Sequence, residues 1–100
     1  MKKWLIGGWM AMMVACAPKP ATIPEVDAAM ISKSGTSIET LQHGRRVFVS
    51  QCGRCHELIA PDAVKTSDWK LLIPGMCWNA GISKADEAAV MAYVMAAKTR

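Results

Sequence analysis

A chain of 100 residues carrying 12 basic and 8 acidic side chains, for a formal charge of +4, has room for one domain. So small a positive charge gives no argument for a nucleic-acid partner, and none is expected. The 52% hydrophobic content is concentrated in particular segments, and none of them shows the period-two alternation of a strand, so the chain reads as all-α.

Lys2 and Lys3 precede an apolar stretch over residues 4–14. A short basic head and an apolar core of about 11 residues read as a secretory signal, too short for a stable membrane span. The stretch ends Met13-Val14-Ala15-Cys16. This resembles the lipobox of bacterial lipoproteins, in which a small residue precedes a Cys that is lipidated and becomes the new N-terminus. Met13 stands where that pattern usually has Leu. The resemblance implies removal of residues 1–15, a lipid on Cys16, and a mature charge of 10 basic minus 8 acidic, or +2. The rival, an ordinary cleavage after Ala15-Cys16-Ala17, puts Pro18 next to the cut, where it suits the peptidase poorly. Ala17 differs from the Asp that retains lipoproteins in the inner membrane, which favours the outer membrane.

Residues 16–36 follow as a tether. Pro18, Pro20 and Pro24 stiffen its first part. Twenty extended residues span roughly 65 Å, enough to hold a domain clear of a bilayer. A short helix is expected over residues 26–32. The folded domain is then 37–100. A domain of about 64 residues is marginal alone and usually needs a staple or a cofactor in its core.

Within that domain three helices are expected. Ser37 is a good N-cap for a helix from 38 to about 51, with Leu41, Gly44, Phe48 and Cys52 on one face. Thr66 and Ser67 open a second over 68–73, which Pro74-Gly75 should stop, so that Met76 rides on a loop or at a new helix start. Ser83, with Asp86 three residues on, caps a third over 84–97 whose apolar face is Ala89, Val90, Tyr93, Val94 and Ala97.

The chemistry lies between the first two of these helices, in Cys52-Gly53-Arg54-Cys55-His56. C-x-x-C-H is the signature of c-type haem attachment. Two thiols three residues apart, on about one helical turn, can add to the two vinyl groups along one porphyrin edge. The His that follows then points under the ring to bind the iron. Attachment of this kind occurs outside the cytoplasm, and the chain separately carries an export signal. A redox C-x-x-C would need a preceding strand of a thioredoxin-like fold, and a zinc site would need a fourth ligand at suitable spacing. Neither pattern is present in the sequence. Two disulfides among four Cys are also disfavoured, because Cys16, Cys52 and Cys55 have other uses.

With these residues in view, the domain resembles a class I cytochrome c over roughly residues 38–95. Gly44-x-x-x-Phe48-x-x-x-Cys52 is similar to that family's first helix, where the glycine lets the first and last helices cross closely and the aromatic packs at the crossing. Tyr93 stands where the family places its packing aromatic on the last helix. Trp69, Met76 and the Ile82-Ser83 helix opening resemble its small members. The resemblance implies a three- to four-helix fold around one covalent haem c, held by Cys52 and Cys55, with His56 as proximal axial ligand and Met76 as distal ligand. Met91 and Met95 are competitors, but on the last helix. His43 is the rival distal ligand, which would lower the potential where Met raises it.

The remaining candidates have structural and functional readings side by side. A carbonyl in Ala60-Pro61-Asp62, Pro61 first, is expected to accept the other ring N–H of His56. Trp69 and Trp78 either line the haem, with an indole N–H on a propionate, or simply pack in the core. Arg45, Arg46 and Arg54 either face an acidic redox partner or are solvated. Cys77 is a small buried residue, a thiol pairing between chains, or a competitor for the iron.

The function implied is a periplasmic, lipid-anchored electron carrier. It would act on unidentified redox partner proteins, with no small-molecule substrate and no catalytic residue. The alternatives are a haem sensor or peroxidase-like protein with a displaceable sixth ligand, and a relay subunit of a larger oxidoreductase.

Overall fold

The computed structural model describes residues 23–54 and 57–99. Among these residues the chain is all-helical: α1 (Ala28–Ser34), α2 (Ile38–Gln51), α3 (Thr66–Ala80) and α4 (Lys84–Thr99), with 3-10 turns at Cys52–Arg54 and Pro61–Ala63. None of the helices is long and apolar enough to cross a membrane.

The frame is the crossing of α2 and α4, with α1 and α3 each packed on α4. α2 begins where Ser37 Oγ accepts the Thr40 N–H at 3.2 Å. It buries Leu41, Gly44, Val47 and Phe48, an i, i+3, i+6, i+7 face. A Cβ added to Gly44 would lie 2.0 Å from the Ala89 carbonyl oxygen of α4, so the two backbones approach as only glycine permits. α4 buries Ala89, Val90, Tyr93, Val94, Ala96 and Ala97. Phe48 stands between Tyr93 and Trp69, with ring centroids at 6.0 and 6.1 Å, and so joins the crossing to α3.

Half of the expected capping box forms at the start of α4. Ser83 Oγ accepts the Asp86 N–H at 3.1 Å. The Asp86 carboxylate does not reach back to the cap, because His43 engages it across the helix interface.

α3 departs from expectation. Pro74-Gly75 do not stop it; the helix runs on to Ala80. Pro74 takes away one intrahelical hydrogen bond, to the Lys70 carbonyl. That residue and Pro74 are both exposed, so water can serve the freed oxygen. Trp69, Ile73 and Cys77 are buried at i, i+4 and i+8, a stripe that continues through the proline and favours an unbroken helix. The real stop is Gly81, at φ 72. Its N–H and that of Ile82 bond back to Trp78 and Cys77 carbonyls at 3.2 and 2.9 Å, a Schellman closure.

Gly75 sits inside this helix with nothing within 4 Å of an added Cβ. Gly75→Ala should therefore raise stability by about 0.5–1 kcal/mol, read as a higher urea midpoint at unchanged slope. A lower midpoint would mean that the helix does not run through this position.

The segment read as a tether is also different from Ile23 onward. α1 starts two residues later than expected because Asp27 caps it, accepting the Met30 N–H at 2.9 Å. Met30 is fully buried in the core, and Ile23, Val26 and Ile31 pack against it. Arg45 of α2 donates to the Pro24 and Ile23 carbonyls at 2.9 and 3.0 Å and pairs with Glu25 at 3.2 Å. The Tyr93 hydroxyl donates to the Pro24 carbonyl as well. Residues 23–34 are thus a strap built into the domain, which does not start at Ser37.

Candidate functional site

The site is built where α2 ends. The helix passes directly into the Cys52–Arg54 turn, the Cys52 N–H closing on the Phe48 carbonyl. This turn abuts α3. Cys52 is a free, half-buried thiol whose pKa burial raises. Cys55 and His56, the other two residues of the motif, lie outside the described residues, as do Cys16 and the signal over 1–15.

Met76 sits on α3 itself, neither on a loop nor at a new helix start. It is half-buried, and it and Cys52 pack against one core cluster that includes Trp69, Ile73 and Cys77. Met91 and Met95 are also half-buried against this cluster, but on α4. His43 is held elsewhere. Its Nε2 lies 2.8 Å from Asp86 Oδ1, which ties α2 to the first turn of α4. Nine residues separate it from Cys52, about 13 Å along the helix axis.

The Pro61 carbonyl has two described partners, whereas the donor expected for it, His56, lies outside the described residues. It accepts the buried Trp69 indole N–H at 2.8 Å and the Lys98 ammonium at 3.1 Å. A carbonyl has two lone pairs, enough for both of these donors. Lys98 also donates to the Val64 carbonyl at 2.6 Å, which fastens the whole 61–64 segment to the end of α4. The Trp69 indole is accordingly committed inside the protein and has no N–H left for a propionate. Lys98 was not singled out in the sequence; a lysine in the last turn of a C-terminal helix signals only a favourable interaction with the helix dipole.

Trp78 is 81% exposed. It follows Met76 by two residues, about 200° around the helix, so the two side chains leave opposite sides of α3. Trp78 therefore neither lines the Met76 side nor packs in the core. Arg45 is spent on the strap, whereas Arg46 is exposed.

Cys77 is a small buried residue, 1% exposed. Burial pushes its thiol up to about 11, with Cys52 and Glu87 adding to the rise and Lys84 opposing it. It stays protonated at neutral pH, and so is a poor nucleophile. No protein-family model, curated protein or solved structure was found to match this chain.

Proposed function

We propose that the protein carries single electrons on one haem c attached through Cys52 and Cys55, with His56 as proximal and Met76 as distal axial ligand. It does so on the periplasmic side of a bacterial envelope, anchored by a lipid on Cys16 and exchanging electrons with redox partner proteins. The observation that carries this reading is the Cys52-Gly53-Arg54-Cys55-His56 motif, whose first three residues form the turn where α2 ends against α3.

The described residues fit the group. Cys52 is a free thiol at a helix end, and Met76, a soft thioether, packs on the same cluster from the neighbouring helix. Bound there, the group supplies reversible one-electron chemistry. The chain's own part is to hold its ligands on stiff supports. The Gly44 crossing fixes α2, and hence Cys52, against α4. The Trp69 and Lys98 bonds to Pro61 fix the segment just after the motif and lock α3 to it. Met76, riding on α3, is thereby held relative to Cys52. A sixth site filled by Met76 keeps out oxygen and peroxide and raises the potential.

The intact exported chain should carry the mass of one haem. Its absence ends the cytochrome reading altogether. Met76→Ala should abolish the weak iron–sulfur band at the red end of the oxidised spectrum and lower the midpoint potential by roughly 100–200 mV. An unchanged spectrum and potential would remove Met76 from the iron and turn attention to a sensor or peroxidase-like protein.

A further inference from the structure

The outward side of α3 is apolar where a helix of a small domain should be polar. Leu71 is 77% and Trp78 81% exposed, with Pro74 exposed between them. At i, i+3 and i+7 these three form one stripe along two turns. They lie opposite Trp69, Ile73 and Cys77, and on the far side from Met76, so neither the core nor the proposed haem covers them. Lys70 stands exposed beside the stripe, with Asp68 on the other flank.

We propose that this face of α3 lies on the lipid bilayer that holds the anchor, with Trp78 and Leu71 in the interface between headgroups and acyl chains. The proposal rests on the lipid-anchor reading of Cys16. Two further observations support it. First, the strap shortens the leash. With Ile23 bound to Arg45, only seven steps of chain separate Cys16 from the folded domain, at most about 25 Å. That is close to the width of a domain of this size, so the protein cannot leave the membrane surface, and whichever face is most apolar settles there. Second, the stripe is too small for a stable dimer. Its large side chains expose roughly 400 Å² per copy, about half of what a standard interface needs from each partner. A bilayer demands no matching shape. It favours this combination of an indole, an aliphatic neighbour and a flanking lysine whose stem reaches back to the headgroups.

The test uses the exported, lipidated, haem-loaded chain in phosphatidylcholine–phosphatidylglycerol vesicles that contain a lipid with a photoreactive acyl chain. After illumination and trypsin, cleavage at Lys70 and Lys84 isolates residues 71–84. That peptide should carry most of the lipid adducts, and Leu71→Ser/Trp78→Ser should reduce its labelling at least fivefold while haem content and helicity stay unchanged. Adducts concentrated on other peptides, or equal labelling of the double variant, would overturn the proposal. So would a dimer in lipid-free solution that the double variant abolishes, because a second copy would then own the face. A chain found without acyl mass overturns the anchor and this placement together; a chain with acyl mass but adducts elsewhere overturns the placement alone.

Discussion

Gly44→Ala should cost the domain about 3 kcal/mol or more and lower its Tm by roughly 15 °C, which for a small domain is close to loss of the fold. The added methyl carbon would stand 2.0 Å from the Ala89 oxygen, 2.6 Å from its carbonyl carbon and 3.0 Å from Tyr93 Cβ. The first two atoms are main chain in the middle of α4 and cannot swing aside. Relief requires the helices to part by more than an ångström, and Phe48, Tyr93 and Val90 lose close packing together. Alanine's better intrinsic helix propensity returns only about 1 kcal/mol. Thermal unfolding followed by far-UV circular dichroism reads the result; a Tm within about 3 °C of the parent would show that the helices do not cross this closely.

Trp69→Ala comes next, at roughly 3–5 kcal/mol. The side chain is 1% exposed and meets Phe48 edge-on at an interplanar angle of 73°. Its indole also supplies one of the two donors on the Pro61 carbonyl. Two milder variants separate these contributions. Trp69→Phe keeps most of the ring and loses the N–H, at about 1 kcal/mol for the hydrogen bond, because Lys98 still serves the oxygen. Lys98→Met leaves the indole in place and should cost a similar amount. Together the two changes strip the carbonyl of both donors, so the double variant should lose more than the sum by about 1 kcal/mol. Strict additivity in urea unfolding would mean that the two donors do not share this acceptor.

Much of the helical frame was legible because its signals are local. Ser37 and Ser83 mark helix starts through a hydroxyl that meets an amide three residues on, and both do so. The face Ala89, Val90, Tyr93, Val94 and Ala97 is buried as its spacing requires. A helix end at residue 73 weighs proline as a local breaker, whereas the packing of Cys77 beyond it is a tertiary gain. Two signs of the longer helix were nonetheless present: the stripe Trp69, Ile73, Cys77 continues in register past Pro74, and Gly81 stands where such a helix would close. The strap was illegible for a different reason. Prolines argue for an extended chain, which residues 23–26 are, but an extended chain can be docked as well as free. What docks it is an arginine and a tyrosine 21 and 69 residues further along. Of the candidate site, the motif is visible in sequence alone, whereas the double use of the Pro61 carbonyl follows from side chains on two helices that only folding brings together.

The strap also fixes where this protein can be cut or joined to another. A fragment begun at Ser37 would leave an empty socket where Met30 sat, and would strand the Arg45 guanidinium and the Tyr93 phenol without their carbonyl acceptors. A boundary drawn at Ser37 therefore cuts through packed structure, and the strap over residues 23–34 has to travel with the helices it binds.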